Sequence, residues 1–460
     1  MPGTEAGGGA ASGRLHPLRL MAYGLPALPA AALGLPLYVF LPTVYAGPGL
    51  PLAAVGTALL LARLWDVATD PMIGVLSDRT GSRFGRRRPW LVAALPLLVL
   101  AAWMLLRPAD GAGIGYLAGW SVALYLGWTM LALPHYAWGA ELSDDYHERS
   151  RISAAREVAV VLGTLLAAGL PVVLGIDGEA EPAAALAALA PLLAIGLPAT
   201  VVLAVLAVPD RAGQTATAVP WREAGALLAA NRPFRRLIVA YLVNGVANGL
   251  PATLFLLFVG HVLAAPAMQG PLLFAYFLCG VLGVPAWLAL ARRIGKHRAW
   301  CWAMIANCAV FAWAPLLGPG EVGAFLAICI LSGLCLGADL VLPSAIQADV
   351  VDVDTAAGGG RRTGLYFGFW GMATKLALAL AVGVAFPLLD LAGFQADTAT
   401  NGTANGTAAL TALALLYGVA PVAFKLVAVA LMWRFPLDAA AQAGLRDRIR
   451  QIESAEPTEG

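Results

Sequence analysis

The stretch RLWDVATDP, residues 63 to 71, sits inside an apolar run long enough to cross a membrane, yet it carries an arginine and two aspartates. Each such group costs about 2.5 to 3.5 kcal/mol at a bilayer centre even on insertion scales, so a span that keeps three of them has a use for them. Asp66 and Asp70 are four residues apart, which sets both carboxylates on one face of a helix, about one turn apart. Two unpaired anions there are untenable. Binding a cation, protonating one member or pairing with a fixed base would relieve them.

The rest of the chain fits a membrane setting. Its 460 residues are 60% hydrophobic and 12% charged, and the mean hydropathy is +0.77. Soluble chains carry about 25% charged residues. A formal net charge of +2 points to no nucleic-acid partner. A span needs about 20 apolar residues. Cutting at charged and Gly/Pro-rich breaks gives twelve, near 17 to 41, 50 to 76, 89 to 106, 113 to 141, 155 to 176, 182 to 208, 235 to 263, 269 to 291, 299 to 317, 322 to 348, 364 to 389 and 407 to 433. Of the 29 lysines and arginines, Arg63, Lys375 and Lys425 are intramembrane and Arg107 flanks an odd-numbered connection; the others cluster at the tails and the even-numbered connections. Positive residues stay in the cytoplasm, so both termini and the even connections are expected there.

The second half echoes the first. GRRRPW at 85 to 90 recurs as GKHRAW at 295 to 300, and PHYAWGAELSDD from Pro134 recurs as PSAIQADVVDVD from Pro343, both offset by about 210 residues. Two echoes in register indicate a duplicated six-helix unit, the arrangement with which transporters build a central site between rocking halves. The expected units are a disordered N-tail (1 to 16), a first bundle (17 to 208), a cytoplasmic linker (209 to 234), a second bundle (235 to 434) and a cytoplasmic C-tail (435 to 460).

RLWDVATDPMIGVLSDRTGSRFGRRRPW (63 to 90), GAELSDDYHERSRISAAR (139 to 156) and ADVVDVDTAAGGGRRTGLYFGFWGMATK (348 to 375) resemble the glycoside-pentoside-hexuronide:cation symporters, the melibiose-permease branch of the major facilitator superfamily. The resemblance runs along nearly the whole chain. It implies an all-α membrane protein of twelve helices in two pseudo-symmetric bundles, in a bacterial inner membrane, working as a monomer that moves a sugar- or glycoside-like solute with Na+ or H+. It further implies that Asp66 and Asp70, with Thr69 and Thr129, hold the cation, and that Lys375 neutralises the acids when the cation is absent. A static charge cluster of Arg63, Asp66, Asp70 and Lys375 is the alternative, with Arg63 as the structural partner of Asp66. Asp78, Arg86, Arg87, Asp144, Arg149 and Asp349 would form ion pairs closing a cytoplasmic gate.

For the solute, the family's sugar-binding aspartates on the first and fourth spans fall at Ala31 and Ala132, which removes that recognition and leaves both Na+ and H+ open as coupling ions. Tyr136 matches a stacking aromatic and Arg156 a substrate-site arginine. Asp339 is a substrate candidate from its intramembrane charge alone. Asn244 and Asn248 share a helical face and could contact solute or bond a neighbouring helix. An amphiphile such as a lysolipid is a second solute class, favoured by the apolar Ala31 and Ala132; a non-transporting sensor or scaffold is a third reading.

Lys425 is expected to snorkel to the cytoplasmic face. The five cysteines read as packing residues, Asn401 and Asn405 as loop residues, and LRDRIRQIE as an amphipathic tail helix lying on membrane or loops. Nothing resembles a nucleotide loop, a catalytic triad or a metal cluster. No enzyme, no cofactor and no metal site other than one for sodium is therefore expected, and the partners are a small solute, a monovalent cation and the lipid bilayer.

Overall fold

The structure is a computed structural model that describes residues 14–34, 41, 44–45, 52–109, 111–176, 182–210, 221–357, 362–395 and 405–455. The expected tail over residues 1 to 13, residues 211 to 220 of the linker, Asn401 and the glycines of GGGRR lie outside the described residues. The described chain is helical, without strands: α1 (Pro17–Gly24), α2 (Ala27–Ala32), α3 (Leu52–Arg79), α4 (Arg88–Leu106), α5 (Ile114–Glu141), α6 (Tyr146–Val173), α7 (Pro182–Pro191), α8 (Leu197–Ala207), α9 (Trp221–Ala230), α10 (Arg232–Leu257), α11 (Gln269–Ile294), α12 (Lys296–Phe311), α13 (Val322–Ala356), α14 (Thr363–Leu391), α15 (Thr407–Met432) and α16 (Ala439–Ala455).

Ten helical stretches among the described residues are long and apolar enough to cross a membrane. They correspond to the third to twelfth expected spans. The second expected span is the 28-residue α3, which is not among these ten; the first is described only in part. Most spans hold an interior proline, including the equivalent Pro134 and Pro343. Membrane helices tolerate this because neighbours re-satisfy the freed backbone groups. The glycines of the two echoed motifs share a cause: Gly85 has φ +104° and Gly295 φ +89°, in the left-handed region that a Cβ disfavours.

Helices pack mainly within their own half. One core is built from Leu91, Leu98, Leu124, Leu189 and Val201. In the second half, Trp300, Phe234 and Tyr366 anchor a cluster near the arginine-rich end, and Phe258, Phe325 and Tyr417 one at the opposite end. Small residues let helices touch: a Cβ on Gly283 would meet the Leu334 carbonyl at 2.3 Å, and one on Gly333 the Tyr276 carbonyl at 2.4 Å.

The halves meet along α3 with α14 and along α6 with α11 and α13, and the burial pattern says where. On α14 the residues from Thr363 to Gly368 are buried all round, whereas farther along burial falls to one stripe, Ala373, Ala377, Ala381 and Ala385, which faces its own half. On α13 every residue from Val341 to Asp352 is buried. The halves are therefore closed together at the end that carries the arginine-rich connections.

Candidate functional site

Asp66 and Asp70 are buried on one face of α3, at 4% and 1% exposure. The Thr129 hydroxyl, from α5, lies 2.9 Å from Oδ1 of each and donates its proton there. From the other half, Lys375 on α14 inserts its ammonium between them: Nζ is 2.7 Å from Asp66 Oδ2 and from Asp70 Oδ2, and donates to Asp70 Oδ1 at 2.8 Å. One ammonium thus faces two carboxylates. Asp70 Oδ2 receives ion-pair contact but no directed hydrogen bond among the described residues. Gly371 allows the approach, because a Cβ there would sit 2.9 Å from that oxygen.

The other expected members lie nearby with different partners. The Thr69 hydroxyl donates to the Asp66 backbone carbonyl at 3.0 Å, so it is turned back onto its own helix. The Arg63 guanidinium lies 5.6 Å from the centre of the Tyr125 ring.

Beside the acids is a cavity of about 280 Å³ between the halves, lined among others by Asp70, Ala132, Tyr136, Arg156, Asp339 and Lys375. Its walls are aromatic and charged. The Arg156 guanidinium stands 3.8 Å over the Tyr136 ring, which stacks on Phe367. Tyr241 stacks on Trp370 at 3.6 Å, and its hydroxyl lies 2.9 Å from Thr374 Oγ1.

Asp339 shares the cavity wall, but its oxygens are already engaged. Lys425 Nζ is 2.9 Å from Oδ2, Trp300 Nε1 donates to Oδ1 at 2.5 Å, and the Asn244 and Asn248 amides donate at 3.2 and 3.3 Å. Lys425 also donates to Asn244 Oδ1 at 2.9 Å. This corrects the expectation that Lys425 snorkels: it is 2% exposed and paired inside the second half, because a buried carboxylate within reach offers more than the distant aqueous face.

The arginine-rich end carries two ion-pair clusters. In one, Arg87 bridges Asp78 and Glu141, both at 2.6 Å, and Arg86 meets Glu141 at 2.5 Å. Asp78 then accepts the backbone N–H groups of Gly364 and Leu365, each at 2.8 Å, at the start of α14 in the other half. A carboxylate suits a helix N-terminus. In the other, Arg149 meets Asp352 at 2.6 Å and Asp349 at 3.2 Å across the halves, and Lys296 meets Asp349 at 2.6 Å. The tail helix α16 closes over this cluster: Arg446 reaches Asp144 at 2.5 Å and Asp352 at 2.7 Å.

Sequence reasoning missed Glu141, Lys296, Asp352, Glu157 and Arg446 as partners. The first three lie within the echoed motifs, so aligning base against acid in the two repeats could have found them.

The sequence pattern of the MFS/sugar transport protein family matches residues 22 to 439. An uncharacterized symporter, sll1374, from Synechocystis is 25% identical over 95% of this chain and 97% of its own. The sodium-dependent lysophosphatidylcholine symporter 1 of Mus musculus is 25% identical over 89% of this chain and 83% of its own. The inner membrane symporter YicJ of Escherichia coli is 25% identical over 84% of each. Among solved structures, a bacterial homologue of the iron transporter ferroportin superposes with a TM-score of 0.61 at 15% identity, covering 91% of this chain and 98% of that one. The E. coli fucose:proton symporter FucP superposes with 0.59 at 13%, covering 89% and 97%. These are transporters, not enzymes. The chain is a multi-pass membrane transporter and belongs to the MFS/sugar transport protein family.

Proposed function

We propose that the chain is a cation-coupled symporter that carries a small organic solute, sugar- or glycoside-like, with Na+ or H+ by alternating access. Twelve spans form two bundles, residues 17 to 208 and 235 to 434, joined by the linker 209 to 234, with both tails cytoplasmic. What supports this topology is the arginine distribution and the echoed motifs. With the arginine-rich end cytoplasmic, closure at that end makes the present state outward-facing.

The observation that carries the reading is the Lys375 ammonium from one half lodged between two carboxylates of the other. An incoming cation and the ammonium compete for the same oxygens. Binding of Na+ between Asp66 and Asp70, or protonation of one of them, releases Lys375 and loosens the tie between the halves. The Thr129 oxygen keeps lone pairs for a hard ion, and carboxylate and hydroxyl oxygens are what such an ion prefers. Solute binds in the adjacent cavity against Tyr136, Arg156 and the Tyr241–Trp370 stack. Cation and solute then raise each other's affinity by one common factor. Asp339, Asn244 and Asn248 shape the wall through their own network, and Asp78, Arg86, Arg87, Asp144, Arg149 and Asp349 hold the cytoplasmic gate. Uptake into proteoliposomes under an imposed Na+ or proton gradient tests the assignment: Asp70→Asn should abolish gradient-driven accumulation, and unchanged accumulation would overturn it.

A second reading, an amphiphile such as a lysolipid, is favoured by an apolar cavity of about 430 Å³ lined mainly by the second half, by Phe255, Phe277, Phe311 and Ile328 with Asn248 and Lys425 also in its wall and Thr164 from the first half. One relative's name, a lysophosphatidylcholine symporter, points the same way. Thermal stabilisation by a lysophosphatidylcholine rather than by glycosides would select it.

A further inference from the structure

The acids expected to read sugar hydroxyls are replaced by Ala31 and Ala132, but the cavity is not without a carboxylate for that purpose. Glu157, one residue after Arg156 on α6, lines the same wall as Ala132. Adjacent residues on a helix point about 100° apart, so an ion pair between them requires the arginine to fold back along the helix. It does so: Arg156 donates to Glu157 Oε1 through both Nε, at 3.1 Å, and Nη2, at 2.6 Å, while its plane rests on Tyr136. Both bonds go to the same oxygen. Oε2 accepts no hydrogen bond from the described residues. The guanidinium is thereby fixed from two sides, and a side chain only 13% exposed keeps one charged acceptor for the cavity.

We propose that Glu157 is a solute-contacting residue that takes over hydroxyl recognition, accepting hydroxyl protons of a polyhydroxylated ring at Oε2 while Arg156 donates to that ring's oxygens. This rests on the symport reading above and deepens it. A carboxylate accepts from hydroxyls with charge-assisted strength, a guanidinium supplies donors in a fixed plane, and aromatic faces such as Tyr136 and Trp370 take the C–H side of the ring. The small Ala132 leaves room for the ring where the relatives' sugar-binding pattern has an acid. The wall is thus suited to a neutral diol-bearing solute.

The test is binding of a panel of methyl glycosides and their monodeoxy analogues to the purified full chain, followed by thermal stabilisation, with a lysophosphatidylcholine as comparator. We expect at least one glycoside to stabilise the wild type. Glu157→Gln, which keeps an oxygen for Arg156 but loses the charged acceptor, should weaken that glycoside roughly ten- to hundredfold. The loss should disappear for the one monodeoxy analogue that lacks the hydroxyl read by Oε2, a selectivity that a purely structural role for Glu157 would not produce. Glu157→Ala should lose more, since Arg156 is freed as well. Stabilisation of each variant by Na+ or by low pH shows that the fold and cation site survive. Equal weakening for every analogue, unchanged glycoside affinity in Glu157→Gln, or stabilisation by lysophosphatidylcholine with none by any glycoside would overturn the proposal. Failure of the symport reading itself shows elsewhere, as uptake in Asp70→Asn that stays as gradient-driven as in the wild type.

Discussion

Two lysines on membrane spans each meet aspartate, Lys425 fully buried and Lys375 22% exposed, and the two sites differ in how completely they are satisfied. Lys425 and Asp339 lie in the same half, one charge against one, with Trp300 and two asparagines filling the remaining acceptor positions. Lys375 crosses from one half to the other and serves two carboxylates at once, with one threonine hydroxyl shared between them. The first site is electrically closed and can move with its bundle as a rigid unit. The second sets one ammonium against two carboxylates and spans the surface along which the bundles are proposed to separate. The same chemistry, placed within a body or across two, gives a staple in one case and, on the proposed reading, an exchangeable tie in the other.

Breaking the staple should have the largest effect. Lys425→Met leaves the Asp339 charge buried without its counter-ion, which costs about 3 to 5 kcal/mol for a broken buried pair; the melting temperature of the purified protein should fall steeply, and uptake per folded molecule should change little. The tie should respond in the opposite way. Asp70→Asn leaves Lys375 its ion pair with Asp66, so stability should hold or rise while gradient-driven accumulation falls by about a hundredfold, or about 2.7 kcal/mol. If both variants lost stability equally, the distinction between the sites would be gone.

Double variants sharpen the contrast. Replacing a whole buried pair by apolar residues is often nearly neutral, so Lys425→Met with Asp339→Leu should recover about 1 to 3 kcal/mol of the loss from Lys425→Met alone. Recovery stays partial because Trp300, Asn244 and Asn248 lose their acceptor. Lys375→Met with Asp70→Leu should retain the fold and recover no coupling, as measured by uptake with and without the ion gradient.

The sequence exposed the tie more readily than the staple, for a physical reason. Asp66 and Asp70 announce themselves through helical spacing inside an apolar run, and Lys375 through its isolation on a span. The spacing of Lys425 says nothing about Asp339, 86 residues earlier on another helix. That pairing follows from how α10, α13 and α15 pack, which no local pattern encodes, and so snorkelling was the expectation for a lysine near a span's end. The proposed gate shows the same division. Acids and bases are legible as two clusters beside the echoed motifs, but which half each reaches depends on how α3 packs on α14 and α6 on α13. The all-helical, multi-span character was legible throughout from composition and length of run.

Those glycines hold the halves together without charge, which makes them a cleaner probe of closure than either lysine. A Cβ on Gly74 would lie 2.3 Å from the Gly364 carbonyl oxygen, and the reverse contact is the same. The clash exists only while the arginine-rich end is closed. Gly74→Ala should therefore destabilise the present state by about 1 to 3 kcal/mol, the usual cost of overpacking, and leave the oppositely facing state untouched. Spin labels at Phe84 and Arg298, one on each half at that end, should report a shift toward longer separations; an unchanged distance distribution would mean that the backbone contact does not limit closure.

Arg446 offers the smallest lever and bears on the same surface from outside. Its guanidinium bridges Asp144 of one half and Asp352 of the other, so in position it is a tie like Lys375. In redundancy it is not. Arg446 and Asp352 are buried, but Asp352 keeps Arg149 and Gln442 when Arg446 is removed, so no buried charge is orphaned, and the Asp144 side chain is 46% exposed. A pair with an exposed member contributes about 0.2 to 1 kcal/mol and is screened by salt. Arg446→Ala should accordingly move the same Phe84 to Arg298 distance population by no more than about fivefold at low ionic strength, and the shift should vanish at about 1 M salt. A salt-independent shift as large as that of Gly74→Ala would instead make the tail helix a principal lock on the gate, held by its apolar contacts rather than by its arginine.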